Sequence, residues 1–74
     1  MVSVERLLYV EGMMCQNCAR HVREALENIP GVSNVNVDLS AKTVSVTADG
    51  SVEDSAFRSA VEEAGYDFNG IDTL

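Results

Sequence analysis

Two cysteines, the only ones in the chain, are the residues best suited to chemistry. They occur three positions apart in the segment GMMCQNCARH, as Cys15 and Cys18. A Cys-x-x-Cys pair can cycle between dithiol and disulfide, supply half of a zinc site, or bind a soft metal ion through two thiolates. The spacing alone leaves these chemistries open, so the surrounding residues must distinguish them.

The cysteine pair lies where a predicted strand gives way to a predicted helix. Gly12 ends the strand pattern, and a helical pattern begins at Gln16. This places Cys15 in the loop and Cys18 in or just before the first helical turn. A helix N-terminus presents unpaired N–H groups and a partial positive charge, and both stabilise thiolate over thiol. We therefore expect a site that is deprotonated near neutral pH.

Four interpretations of the pair compete. Packed structural cysteines are untypical of a loop-to-helix junction. A structural zinc site needs four ligands, whereas the chain offers two cysteines and one histidine and would require a second chain or carboxylates. Thioredoxin-like chemistry fits the spacing, but the flanking residues do not resemble Trp-Cys-Gly-Pro-Cys. The residues favour a two-coordinate thiolate site for a soft ion such as Cu(I), open to attack by a partner's thiolate.

The composition indicates a single soluble domain, which we expect to span residues 1–74. Hydrophobic residues make up 46% of the chain and charged residues 23%, as is typical of a globular protein. No apolar run approaches the roughly 20 residues of a membrane-spanning helix, and no signal peptide is visible. Two cysteines without a signal peptide predict a cytoplasmic protein, because thiols stay reduced in the cytosol.

The charge narrows the choice of partners. Twelve acidic against five basic residues give a net charge of −7. Nucleic acid and anionic membrane reward positive charge, so we expect neither nucleic-acid binding nor membrane insertion. A partner with a basic face fits better.

Apolar periodicity predicts two similar halves, each with a strand, a helix and a strand. Strands show alternation or β-branched enrichment, helices show apolar residues every three or four positions, and Pro30-Gly31 and Gly65 end the two helices. We expect Ser51 to cap the second helix, with Asp54 in a capping-box-like position. The predicted elements are strand Val4–Val10, helix Gln16–Asn28, strand Val32–Leu39, strand Thr43–Ala48, a helix between Ser51 and Gly65, and strand Asp67–Ile71.

This order predicts an α+β fold, the ferredoxin-like βαββαβ sandwich. A four-stranded antiparallel sheet would carry both helices on one face.

The motifs on these elements resemble those of the heavy-metal-associated (HMA) domain, in its bacterial copper chaperone type. The similar features are GMMCQNC before a helix, PGV, a Val-x-Val-x-Leu strand and AGYDF, and they extend from about Val4 to Phe68. The resemblance implies that Cys15 and Cys18 bind Cu(I) and exchange it with a like domain of a copper-transporting P-type ATPase.

The resemblance also implies accessory roles for two residues. Met13 matches a methionine that is buried beneath the metal loop and is not usually a ligand. Tyr66 matches a tyrosine that lies beside the metal loop in bacterial members, where eukaryotic chaperones tend to carry lysine. An ordinary packing role for Tyr66 remains open and is compatible with shielding of the metal.

Two further residues near the cysteines have open roles. Met14 occupies the position where zinc-pump domains of this family often carry an acidic ligand, so its presence favours Cu(I) over Zn(II). It is either a weak thioether ligand or, as we favour, an exposed side chain that helps a partner to dock. His21 lies one helical turn beyond Cys18 and is either a surface residue, as we favour, or a donor across a metal-bridged homodimer.

These observations predict a non-enzymatic copper chaperone. Three alternatives stay open: an excised N-terminal metal-binding domain of a heavy-metal P-type ATPase, a Zn(II)- or Hg(II)-binding homologue, and a dithiol oxidoreductase. The sequence contains no phosphate-binding glycine loop and no nucleophile with an evident base, so nothing beyond the thiols suggests catalysis.

Overall fold

The computed structural model describes residues 2–73 and confirms the predicted fold. All strand pairs are antiparallel, in the order β2-β3-β1-β4, so the first strand of each half lies between strands of the other half. The two helices contact each other and pack against β2 and β4. The elements are β1 (Ser3–Glu11), α1 (Gln16–Glu27), β2 (Val32–Asp38), β3 (Thr43–Asp49), α2 (Asp54–Glu63) and β4 (Asp67–Thr73).

The core lies between the sheet and the helices, where the alternating apolar residues meet the helical ones. Every second residue of β3 faces inward and is buried, as the alternation of its sequence predicts. No polar or charged side chain among residues 2–73 is buried with them. The largest fully buried side chains are Phe57, Leu8, Leu26, Val10, Val22, Val44, Val46 and Val61.

The predicted cap of the second helix is wrong. Helix α2 begins at Asp54, and its N-cap is Glu53. The backbone N–H of Ser51 donates instead to the carboxylate of Asp49 at 3.1 Å. An aspartate that accepts a hydrogen bond two residues on forms a local turn, and this turn takes Ser51 out of the capping position.

The last strand is longer than predicted and extends to Thr73. Asn69 and Gly70 are turn-forming residue types, yet both lie inside β4. Tyr9 lies opposite Gly70 and Val10 opposite Phe68, so Asn69 is an extra residue in a bulge. The ring of Tyr9 lies 3.7 Å from the position of a Cβ at Gly70 and covers the glycine. Pairing with β1 therefore overrides the local preference for a turn.

Neither helix has the length and apolar character needed to cross a membrane within the part of the chain that the structure describes.

Two adjacent methionines provide a test of how the core anchors the loop after β1. Met13 is 8% exposed and belongs to the core, whereas Met14 is 88% exposed. We expect Met13→Ala to lower the free energy of unfolding by about 2–3 kcal/mol through lost burial and a cavity. Met14→Ala should change it by less than about 0.5 kcal/mol. Urea denaturation of both variants measures the difference, and equal losses would contradict this anchoring of the loop.

Candidate metal site

The two cysteines lie at the N-terminal end of helix α1. Cys15 is the N-cap residue, with extended backbone angles, and Cys18 is the third residue of the helix. The carbonyl of Cys15 accepts the first helical hydrogen bond, from the N–H of Ala19 at 3.1 Å. N-cap and third helical residue are the two positions that form a capping box, where both side chains reach the same helix end. The spacing of three thus brings both sulfurs together.

The sulfur atoms lie close to each other and near solvent. The thiol of Cys15 donates to the Sγ of Cys18 over 3.5 Å. Cys15 is exposed and makes no side-chain capping bond, while Cys18 is half-buried. One thiol is therefore accessible to an incoming molecule, and the other is held against the protein.

The surroundings of Cys18 favour its thiolate. Hydrogen bonds from the Tyr66 hydroxyl, the Met14 backbone N–H and the Cys15 thiol lower the pKa of Cys18 from 9.0 to about 7. The backbone N–H of Cys15 contributes in the same direction, as expected where the third helical side chain reaches back to the N-cap. The same contact with Cys18 raises the pKa of Tyr66.

Tyr66 reaches the site because of how helix α2 ends. Gly65 has φ +94° and its N–H donates to the carbonyl of Glu62 at 3.0 Å. The N–H of Tyr66 donates to the carbonyl of Val61 at 3.3 Å. These two bonds form a Schellman motif, in which a left-handed glycine turns the chain sharply after a helix. The turn directs Tyr66 towards the cysteine loop.

Gly12 lies next to the ring of Tyr66. The Cδ1 atom of Tyr66 lies 3.4 Å from where a Cβ of Gly12 would be, and Gly12 has φ +97°. A side chain there would be strained by the backbone, while its Cβ would be in van der Waals contact with the ring. Gly65 therefore sets the direction of the chain at Tyr66, and Gly12 is in contact with the ring. The contact between Gly12 and Tyr66 joins distant parts of the chain. The sequence signals it only by a glycine beside the end of β1 and another beside the end of α2.

The remaining candidate residues lie around the thiols without joining them. Met13 packs under the loop, and the side chain of Met14 extends into solvent. His21 is exposed and lines a groove between α1 and α2, together with Glu24 and Ala64. Among residues 2–73, no cluster of three or more His, Cys, Asp or Glu side chains could hold a metal ion. The structure thus brings together Cys15, Cys18 and Tyr66, and it offers two thiols as candidate ligands.

This donor set suits a soft, low-coordinate ion. Metal–thiolate bonds of about 2.3 Å place two sulfurs at most about 4.6 Å apart, so the pair would open by about 1 Å for linear coordination. The exposed position of Cys15 leaves room for that movement. Two thiolates without oxygen ligands disfavour Mg²⁺ and Ca²⁺ and suit Cu(I) and other thiophilic ions.

Comparisons with known proteins agree with this geometry. A family model described as "Heavy-metal-associated domain" matches residues 7–67. Copper chaperone CopZ of Staphylococcus aureus is 44% identical over 64 residues, which cover 85% of this chain and 94% of CopZ. A solved structure of a CopZ metallochaperone superimposes with a TM-score of 0.85 and 42% identity, covering 88% of this chain and 98% of that one.

Two much longer proteins share the same domain. Copper-transporting ATPase 2 of Rhizobium meliloti is 40% identical over 57 residues, 77% of this chain. A mercuric reductase of Shewanella putrefaciens is 38% identical over 60 residues, 81% of this chain. The matched regions are only 7% of the ATPase and 11% of the reductase. The family match, the CopZ identity and the shared fold together show that the chain belongs to the heavy-metal-associated domain family, among the homologues of copper chaperones.

Proposed function

We propose that the protein is a cytoplasmic copper chaperone. It binds one Cu(I) ion through Cys15 and Cys18 and delivers it to the metal-binding domain of a copper-transporting P-type ATPase. The observation that carries the proposal is the pair of thiols whose sulfurs lie 3.5 Å apart at the exposed end of a helix. Further support comes from CopZ, which matches over 94% of its own length.

Thiolate exchange explains how such a site releases its ion. A partner's thiolate bonds to the bound Cu(I) and gives a three-coordinate ion shared by both proteins. The bond to one of the two cysteines then breaks, and that thiolate is released to solvent. Cys15 is the exposed member of the pair, so it is the natural first leaving ligand. Repetition with a second partner thiolate completes the transfer without any change in oxidation state.

The alternative functions depend on the same two cysteine thiols. The reductase match covers only 11% of that enzyme, so the activity of the whole enzyme is not carried over to this chain, and we propose no enzymatic activity. An excised ATPase domain would use the same two thiolates. Zn(II) and Hg(II) also bind thiolates, and the competition experiment below separates them. A metal-bridged homodimer gains no support from these relatives.

Competitive metal titration tests the copper assignment. We expect the reduced protein to bind Cu(I) one-to-one and tightly against a Cu(I) chelator of known affinity, and Zn(II) far more weakly, because only a soft ion is satisfied by two thiolates. Cys15→Ser/Cys18→Ser should lose the tight binding. His21→Ala serves as the control and should keep it.

Each departure from this pattern has a definite meaning. Zn(II) binding as tight as Cu(I), or Cu(I) binding that survives loss of both thiols, would refute the proposal. Preference for Hg(II) in the same assay would reassign the cargo while keeping the site.

Proton competition gives a second prediction. Since the folded protein holds the pKa of Cys18 at about 7 instead of 9.0, this thiol is mostly deprotonated between those values and protons compete little with copper there. Below about pH 7 the thiol regains its proton, so the apparent Cu(I) affinity should fall as the pH decreases. Tyr66→Phe removes the largest cause of the shift and should raise the pKa. An increase of one unit, from about 7 to about 8, would lower the thiolate fraction at pH 7 from about one half to about one tenth.

Alkylation of the metal-free protein by iodoacetamide, followed for each cysteine by mass spectrometry across pH, measures this change. Tyr9→Phe is the matched control, because the Tyr9 hydroxyl donates to Asp72 at 3.0 Å instead of to a cysteine. A Tyr66→Phe profile that coincides with that of Tyr9→Phe would show that the Tyr66 hydroxyl does not stabilise the thiolate.

A further inference from the structure

One exposed side chain beside the cysteines has no structural explanation in the isolated chain. Met14 is 88% exposed, the highest value among the exposed large hydrophobic residues that the structure describes. Its side chain extends into solvent beside the exposed Cys15. Exposure of a large apolar side chain forgoes the stabilisation that burial would give. Burial by another molecule would recover it.

The proposed transfer of the metal indicates which molecule covers Met14. A partner's thiolate must come within bonding distance of an ion held at Cys15 and Cys18, about 2.3 Å for a metal–thiolate bond. Met14 is the residue adjacent to Cys15, so a surface that approaches this closely also covers Met14. Flexible, polarisable methionine side chains adapt to varied apolar surfaces and are enriched in protein interfaces.

The charge distribution around the loop favours the same contact. Residues 12–19 contain no charged side chain, although the whole chain carries a net charge of −7. All five lysine and arginine side chains form ion pairs within the chain, at Arg6–Asp54, Arg20–Glu24, Arg23–Glu27, Lys42–Glu11 and Arg58–Glu62. Apart from the two thiols, the cysteine loop thus carries no charged group, so an apolar surface that approaches it meets no carboxylate within the loop.

We propose that Met14 is the apolar anchor of the transient interface across which the metal is exchanged. The partner that covers Met14 is the thiolate-bearing domain that accepts the ion. An apolar rim beside the cysteines of that domain makes the contact. This inference rests on the proposed function, and it adds a specificity-determining residue that does not bind the metal.

Cu(I) transfer rates to two acceptors test the inference. The donors are the copper-loaded wild-type protein, Met14→Gln, Met14→Leu and the control Val2→Gln, which changes another exposed apolar residue, 74% exposed, in a different part of the chain. One acceptor is an isolated Cys-x-x-Cys domain of a copper-transporting ATPase, and the other is a small Cu(I) chelator. Cu(I) affinity is measured for every variant.

We expect Met14→Gln to slow transfer to the protein domain by about tenfold, equal to about 1.4 kcal/mol, and to leave transfer to the chelator unchanged. Met14→Leu and Val2→Gln should stay within about twofold of the wild type, since the first keeps an apolar side chain and the second alters no residue near the thiols. Cu(I) affinity should be equal in all four proteins.

Other results would overturn the inference in distinguishable ways. If Met14→Leu slowed transfer as much as Met14→Gln and also weakened Cu(I) binding, the thioether would be a ligand and not an anchor. Wild-type rates for Met14→Gln with the protein domain would remove any role in docking. A wild-type protein that gave copper to the chelator but not to the domain would refute the proposed function itself, and the anchor with it.

Discussion

The site depends on one constraint, the placement of a Cys-x-x-Cys pair at the first turn of helix α1. With Cys15 at the N-cap and Cys18 three residues later, both sulfurs lie at the end of the helix where backbone N–H groups lack partners. At Cys18 the Tyr66 hydroxyl is the largest cause of the lowered pKa, and the backbone N–H groups of Met14 and Cys15 add to it, so no basic side chain is needed. Helix α1 holds this position because Val22 and Leu26 on its inner face are fully buried in the core.

The second half of the chain supplies Tyr66 to a site whose cysteines lie in the first half. Strand β4 pairs with β1, and the short turn between α2 and β4 therefore lies beside the loop that follows β1. This adjacency carries Tyr66 to Cys18, although the two residues are 48 positions apart in the sequence. The interleaved topology thus contributes to the chemistry as well as to stability, since it places a hydroxyl donor from one half against a thiolate from the other.

Local patterns predicted most of this structure because the local preferences and the tertiary packing agree. Alternation in β2 and β3, the apolar face of α1 and the glycine after α2 all indicate the elements that the structure contains. The predictions failed where a neighbouring group competed, at Ser51, whose N–H is taken by Asp49, and at the end of β4, which pairing with β1 extends past Ile71 to Thr73. The contact of Tyr66 with Gly12 is a tertiary interaction, and the periodicity of the sequence carries no trace of it.

The side chain at position 14 affects both which metal ion suits the site and which surface can contact the loop. A carboxylate there would add a third, hard ligand beside two thiolates, which favours harder ions, and it would replace an apolar contact surface with a charged one. A buried side chain there would leave the approaching surface nothing apolar to contact. Met14 does neither, because it is uncharged, soft and 88% exposed. Under the proposed function, the low ligand count that suits Cu(I) and the carboxylate-free loop that suits docking therefore arise from the same residue choice, and such a site would give up its ion when another thiolate approaches.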